Sequence, residues 1–399
     1  MSLGGMKDQS PYSLDEVIDR RIYTDEDIFR QEREKIFKRT WQYVGHESEL
    51  REPGRYRLTT IAGEPYIVCR DQRGEIRVLG NTCTHRGATL VRGSRGQCKA
   101  FRCPYHAWTF DLEGRLIGVP IPEDYGPRFR REDFCLTQAR VETYEGLIFA
   151  CLDEQAPSLD EYLGEAAQYI ERSCQGKEVI GYNKCLFKGN WKLYQENFGD
   201  GYHPPFLHQG MGPAFLSTYE ANGEAINLGN GHMLLKYYPP EPQHLDLSKL
   251  SAALGIPLTL ETMKTTGIIN PYPGDYDSVL SVFPNFIVPD IVSVLSVHRL
   301  TPLAPDRTLL EITILGDPQD SPEFRQFRLR QSTVWGPGGR AGIDDIAVAE
   351  KCQRGFHAKA IATSLMARGS SDERAGMVFN EYTIRGFYRQ WRHYMGWSG

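Results

Sequence analysis

Two short segments of this chain each offer a cysteine and a histidine: Cys83-Thr-His85 and, with its cysteine 18 positions after His85, Cys103-Pro-Tyr-His106. Four such donors can hold one tetrahedral zinc, or a [2Fe–2S] cluster with the cysteines on one iron and the histidines on the other. The spacing separates the two readings. A zinc finger groups Cys with Cys and His with His, whereas here each loop contributes one of each, as two irons held between two facing β loops require. Neutral imidazoles in place of thiolates reduce the negative charge at one iron and raise its potential, so the cluster becomes a reversible one-electron donor. Cys98 lies between the loops with no histidine to pair with and is left out.

A second constellation lies between Asn190 and His208. The pattern is helical up to about His203, and Pro204-Pro205 disturbs the helix so that His203 and His208, five residues apart, can reach one ion. The carboxylate of Asp200 and the amide of Asn197 lie one and two turns upstream of His203 on the same side. On a helix Asp200 can accept a hydrogen bond from the His203 ring nitrogen that a metal does not use. Two imidazoles and one carboxylate on one face of Fe(II) leave three positions open for water, O2 and a nearby substrate.

The segments CTHRGATL and FRCPYHAWTFDLEGRLIG resemble the two cluster loops of Rieske proteins, and specifically those of ring-hydroxylating oxygenases, with Arg86, Gly87 and Trp108 matching the surroundings of the ligands. The segment from Asn190 is similar to the N-W-K…E-N…D-x-Y-H-x4-H motif of the same family and departs from it in the Pro-Pro pair. The resemblance runs from Trp41 to the closing ARGSSDE and IRGFYRQWRHYMG. It implies a Rieske cluster on Cys83, His85, Cys103 and His106, and a mononuclear Fe(II) on His203, His208 and a carboxylate far downstream. The family places that carboxylate after a Gly-Pro-Gly turn, here Trp335-Gly-Pro-Gly-Gly339, followed by Ile343-Asp344-Asp345. Its second acidic residue, Asp345, is the implied ligand. Adjacent residues on a helix face different sides, so Asp344 is expected toward solvent or the helix N-terminus.

Asp200 and Asn197 are the implied catalytic residues. In the family Asp200 would link His203 to the His106 of a neighbouring subunit in a head-to-tail homotrimer, a heterologous contact that closes into a ring. The implied partners are O2, a ferredoxin and/or NAD(P)H-dependent reductase, and, in some arrangements, a small β subunit. The implied reaction is cis-dihydroxylation of an aromatic, carboxylated substrate, because the C-terminal half is similar to terephthalate, salicylate and anthranilate dioxygenases. The alternative is a Rieske monooxygenase or demethylase acting on a non-aromatic or N- or O-methylated substrate. A carboxylate substrate needs a buried cation or donor near the iron. The strand Val292 to Leu300 ends in His298 and Arg299, whose side chains point to opposite faces, so either can be that anchor. Phe206 and Leu207, between the histidines, can line the pocket.

These groups need two kinds of scaffold. From Gln42 to about Leu152 the sequence consists of short β-branched runs separated by Gly and Pro (YRLTTIAG, EPYIVCRD, EIRVLGN, RLIGVP, LIFACLD), which predicts an antiparallel β domain. Thr24 is expected to cap a helix over Asp25 to Lys38, with Ile28, Phe29, Ile36 and Phe37 on its buried side. Beyond Pro157 the chain turns mixed: a polar helix at SLDEYLGEAAQYIERS, strands at 278 to 300 and 308 to 315, and a helix from Asn380 to Met395. The expected fold is α+β. It comprises an N-terminal helical segment (1–41), an antiparallel Rieske β domain (42–155) and a larger α+β catalytic domain (156–399), whose central antiparallel sheet is helix-grip-like and covered by helices.

Composition excludes other classes. A chain of 399 residues with a net charge of −5, a pI near 6.1 and no basic run does not suit nucleic acid or an anionic membrane as its partner. No apolar run reaches the roughly 18 residues a span needs; the nearest, Ser278 to Val297, is interrupted by Pro284, Asn285, Pro289 and Asp290. MSLGGMKDQS has no signal-peptide core, so a cytoplasmic protein is expected. Nine cysteines, an odd and scattered set, suit reduced thiols plus a metal site better than a disulfide framework. A pure electron carrier would need only the first 150 or so residues. A zinc scaffold would be colourless, whereas this sequence predicts a brown protein.

Overall fold

The strand Glu64–Arg70 shows how the β region is built. Successive side chains leave a strand on opposite faces. Ile67 and Cys69 therefore enter one core, with Leu79, Phe101, Trp108, Phe110 and Leu136, while Tyr66 and Val68 enter another, with Val44, Ile61, Val78 and Ile148. This strand is central in a four-stranded sheet ordered Ile76–Gly80, Glu64–Arg70, Arg55–Ile61, Arg95–Gln97. A three-stranded sheet (Arg140–Tyr144, Leu147–Cys151, Gln42–His46) and a small one (Phe101–Arg102, Thr109–Phe110, Leu116–Gly118) complete the region. All pairings are antiparallel.

The computed structural model describes residues 11–209, 223–238, 248, 251–252, 257, 259, 275–291, 294–358, 360–369 and 378–397. The N-terminal decapeptide, the first two residues of the expected strand from Val292 and the last four of ARGSSDE lie outside these. The chain forms two compact units, Arg33–Tyr162 and a second made of Met1–Glu32 with Leu163–Gly399. None of the described helices is long and apolar enough to cross a membrane.

The second unit centres on a seven-stranded antiparallel sheet ordered Glu178–Phe187, Arg307–Gly316, Val294–Ala304, Phe286–Ile291, Asp277–Val282, Met233–Tyr237, Gly223–Asn227. Helices Trp191–Phe198, Pro322–Trp335, Gly342–Phe356 and Tyr382–Met395 accompany it. The fold is thus the α+β arrangement anticipated, a Rieske-like β unit and a larger sheet with helices.

Three local expectations need correction. The first helix is capped by Asp25, not Thr24: Asp25 Oδ1 accepts from the N–H groups of Asp27 (2.8 Å) and Ile28 (3.0 Å). The α-helix spans Glu26–Glu32 and passes into a π turn at Arg33–Phe37. The polar helix near 160 is broken by Gly164, whose φ of +47° is easily reached only without a side chain, into Leu159–Leu163 and Ala167–Cys174. The helix from Asn190 stops at Phe198 rather than near His203, because Asp200 Oδ1 accepts from the Tyr202 N–H (2.5 Å) in a turn that competes with the helix.

Candidate metal centres

In the β unit, Cys83 and Cys103 are buried and each sits at the start of a tight turn: Gly87 N–H donates to Cys83 O, and Ala107 N–H to Cys103 O. The His85 and His106 rings are partly exposed, with centroids 4.8 Å apart. Trp108 stacks on His85 at 4.7 Å and Tyr105 on His106 at 3.8 Å, fixing both rings. The Nδ1 atom of each ring is buried without a hydrogen-bond partner. Buried ring nitrogens are normally satisfied, so a pair of orphaned Nδ1 atoms beside two buried thiols fits a group that takes two imidazoles and two thiolates. Cys83 and Cys103 lie close enough for burial and mutual contact to push the Cys83 thiol up.

In the larger unit the donors come from three elements. Asn190 caps the helix Trp191–Phe198 by accepting from the Lys192 N–H, and its Nδ2 donates to Pro305 O at 2.7 Å. Gln353, on the helix Gly342–Phe356, accepts from Asn190 N–H and donates to Tyr23 O, both at 2.9 Å, so the two helices are held in register at their bases. The approach to the second helix needs glycine: a Cβ on Gly339 would stand 2.0 Å from Thr333 O, and one on Gly342 would stand 2.3 Å from Gly336 O. The turn Trp335–Gly339 is therefore a close backbone crossing, and it delivers Asp344 and Asp345 in the first helical turn.

The structure brings His203, His208 and Asp345 together, one donor atom from each within 4.8 Å of the others. Nε2 of His203 and of His208 lie 3.5 and 3.2 Å from Asp345 Oδ1. Asn197 Nδ2 donates to the same oxygen at 3.3 Å and stands 3.3 Å from His203 Nε2. Both Nδ1 atoms point away: Asp200 Oδ2 is 3.6 Å from that of His203 and Asp344 Oδ2 is 3.5 Å from that of His208, just outside hydrogen-bonding geometry. Asp344 is thus not simply turned to solvent. Burial alone would push His203 down, but the flanking Asp200 and Asp345 carry it up to about 10. Burial would raise Asp345, yet the two imidazoles hold it below the ordinary carboxylate range. Two rings aimed through Nε2 at one buried carboxylate form a donor set suited to a borderline divalent metal with open positions.

The remaining candidates separate. His298 is buried, Tyr194 Oη and Ser296 Oγ lie 3.1 and 3.0 Å from its two nitrogens, and its ring meets Phe198 edge-on. Burial pushes it down to about 3 against the pull of Asp345, so it remains neutral and is a hydrogen-bonding group rather than a cation. Arg299 leaves the strand on the other face, toward Glu311 at 3.4 Å. Phe206 is exposed, with its ring edge on Tyr202, and Leu207 is half-buried.

Residues 40–144 match the Rieske [2Fe-2S] domain and residues 159–397 match the catalytic domain of the ring hydroxylating alpha subunit. The chain belongs to the Rieske ring-hydroxylating oxygenases. Its relatives in this family include the alpha subunit of 2-aminobenzenesulfonate 2,3-dioxygenase from Alcaligenes sp., 32% identical over 95% of this chain and 93% of that one. Another is an alpha subunit of the terephthalate 1,2-dioxygenase terminal oxygenase component from Comamonas sp., 33% identical over 94% of each. Naphthalene 1,2-dioxygenase from Rhodococcus sp., solved with indole bound, superposes with a TM-score of 0.81 at 28% identity, covering 95% of this chain and 94% of that one. As a Rieske oxygenase the protein is an oxidoreductase with a [2Fe–2S] cluster and a mononuclear iron centre.

Proposed function

We propose that this chain is a terminal oxygenase component that cis-dihydroxylates an aromatic substrate bearing an acidic group. Cys83, His85, Cys103 and His106 hold the cluster, and His203, His208 and Asp345 hold the mononuclear Fe(II). The observation that carries the reading is the convergence of two Nε2 atoms and one carboxylate in a buried site, in a chain that also provides two Cys/His loops. When bound, the cluster supplies single electrons and the mononuclear iron supplies the site of O2 reduction. The residues do the rest: Asp200 and Asp344 orient the two imidazoles, and Asn197 donates to the Asp345 oxygen that both rings face. His298, neutral and edge-on to Phe198 of the ligand helix, is the polar group we assign to the substrate side, and Leu207 and Phe206, between the two histidines in sequence, are assigned to the pocket lining.

The relatives named for 2-aminobenzenesulfonate, terephthalate, anthranilate and salicylate all act on aromatic acids, which supports an anionic ring substituent. Electrons come from a ferredoxin and/or an NAD(P)H-dependent reductase in the cytoplasm. The working assembly is a head-to-tail homotrimer, with or without a small β subunit, in which Asp200 links His203 to His106 of the next subunit. The reading divides the chain into a helical segment 1–41, a Rieske domain 42–155 and a catalytic domain 156–399.

The test is NADH consumption with a reductase and a panel of aromatic sulfonates and carboxylates, with products analysed after reaction under 18O2. Substrate-dependent consumption with both labelled atoms in a cis-diol is expected. One labelled atom, or turnover only with methylated amines or ethers, would replace this reading by the monooxygenase or demethylase one.

A further inference from the structure

His298, the polar group assigned to the substrate side, has both ring nitrogens engaged. Tyr194 Oη lies 3.1 Å from Nδ1 and Ser296 Oγ lies 3.0 Å from Nε2, so a phenol, an imidazole and an aliphatic hydroxyl form one buried hydrogen-bonded chain. Ser296 and His298 are two positions apart on the strand Val294–Ala304 and therefore share a face. His298 meets Phe198 edge-on and Tyr194 through its phenol, so that face looks toward the ligand helix Trp191–Phe198. The other side of this helix is anchored. Lys192 is fully buried and paired with Glu32 at 2.6 Å, and Glu32 also accepts from Trp191 Nε1 (2.9 Å) and Trp391 Nε1 (2.8 Å). Glu196 accepts from Tyr23 (2.8 Å) and Tyr388.

A chain of this kind has two polarities. In one, the Tyr194 O–H donates to Nδ1, the ring carries its hydrogen on Nε2 and donates it to Ser296 Oγ, and the Ser296 hydrogen is left for a further acceptor. In the other, every bond is reversed: the Ser296 O–H donates to Nε2, the ring donates from Nδ1 to Tyr194 Oη, and the phenol hydrogen is left over. A phenol shares its oxygen lone pair with the ring, which makes it the stronger acid and the poorer acceptor of the two hydroxyls. It therefore takes the donor end, and the aliphatic hydroxyl takes the acceptor end. A doubly protonated ring would bury a cation whose two nitrogens face hydroxyls rather than carboxylates.

The face that carries Ser296 holds further unsatisfied polarity. Directly paired residues on antiparallel strands share a face, and Ser281, Ile287 and His298 stand in one row across three neighbouring strands. Ser281 Oγ is buried with no hydrogen-bond partner among the described residues, so this side of the sheet is not lined as a dry core. We propose that Ser296 presents the hydrogen-bond donor that recognises the acidic substituent of the substrate, and that Tyr194 is a positioning residue that sets the direction of the chain through His298. A carboxylate or sulfonate oxygen only accepts, and the favoured polarity turns an O–H toward it. The reversed chain would turn lone pairs toward it and repel it. The inference rests on the proposed aromatic-acid substrate for its ligand, but not for the tautomer of His298.

The test has two readings. 15N NMR of the full-length protein labelled at histidine, with the cluster oxidised and the mononuclear iron removed, reports which ring nitrogen carries the hydrogen, and His298→Gln identifies the signal. Hydrogen on Nε2 is expected in the parent, and a mixture of tautomers in Tyr194→Phe, which has no phenol to donate. Hydrogen on Nδ1, or on both nitrogens, in the parent overturns the proposal. The second reading is the preference in kcat/KM for benzoate or benzenesulfonate over the same ring without its acid. It should fall about 10–100-fold in Ser296→Ala, mostly through KM, return in Ser296→Thr, and fall by a smaller factor in Tyr194→Phe. An unchanged preference in Ser296→Ala overturns the role of Ser296. Absence of turnover with every aromatic acid removes the substrate class and that role with it, whereas the tautomer of His298 is decided by the resonance of the parent alone.

Discussion

Asp344 Oδ2 lies 3.5 Å from Nδ1 of His208, while Oδ1 of its neighbour Asp345 lies 3.2 Å from Nε2 of the same ring. Two consecutive acids therefore grip one imidazole from both sides. Asp345→Ala is expected to lose the mononuclear iron and all turnover while the visible spectrum of the cluster survives. Asp344→Ala should retain iron with affinity about 10–100-fold weaker, because only the orienting group is removed. Iron per chain and Fe(II) titration measure both. The opposite pattern would reverse the assignment, and full activity in both variants would move the carboxylate ligand to another segment.

Replacing His85 by Cys should keep a [2Fe–2S] cluster and lower its potential by on the order of 100 mV or more, since a thiolate adds negative charge at the histidine-bound iron. An EPR-monitored redox titration reads the shift. Analysis showing one zinc and no acid-labile sulfide in the parent would remove the cluster altogether.

Asp200→Asn keeps the shape of the side chain and removes its charge. Both metals and the proposed trimer should remain, yet transfer of the cluster electron to the mononuclear iron should slow by at least about a hundredfold. Single-turnover oxidation of the pre-reduced variant, with substrate and O2, gives that rate directly. Oxidation at the parent's rate would confine Asp200 to orienting His203.

Glu196 binds its proton more tightly in the folded chain, at about 7 against an ordinary 4.5. Between those values the unfolded chain has lost the proton and the folded one keeps it, so stability falls as pH rises from about 4.5 to about 7 and is level above. The change is about 1–3 kcal/mol, because the side chain is only partly buried. Melting curves of the parent and of Glu196→Gln should therefore converge in slope above pH 7 and diverge below it; parallel curves throughout would count against the shifted proton.

Ala107 occupies the left-handed region at φ +57° between His106 and Trp108. A β-carbon there costs about 1 kcal/mol. Ala107→Gly is expected to stabilise the β unit by about 0.5–1 kcal/mol without changing the cluster spectrum, measured as a rise in the temperature at which the visible absorbance bleaches.

How far the sequence could be read depended on how local the physics was. Cys83, His85, Cys103 and His106, and the pair His203 and His208, stand out because metal chemistry limits both residue type and short spacing. Asp345 lies 137 positions beyond His208 and came only through family likeness. Strand alternation put His298 and Arg299 on opposite faces but could not say which face meets Phe198. The cap falls on Asp25 rather than Thr24 because both residue types cap helices and only the backbone path chooses between them, and the helix ends at Phe198 because the Asp200 side chain competes for the Tyr202 N–H, which the helical pattern does not reveal. The hydrogen bonds from Tyr23 and Tyr388 to Glu196 gave no signal at all, since they join residues 173 and 192 positions apart. The only hint was a Glu in the last turn of a buried helix, where a charge is out of place.

The hydrogen bond from Trp391 to Glu32 joins groups 359 positions apart. On a ribosome adding roughly 5–20 residues per second, Lys192 is made on the order of 10–40 s before the indole that encloses its ion pair. Throughout that interval the helix leading to His203 has no lock behind it. The ion pair behind that helix is therefore enclosed only after the Tyr382–Met395 helix exists, and damage to this helix should leave the helix leading to His203 loosely held although both of its histidines have long been made.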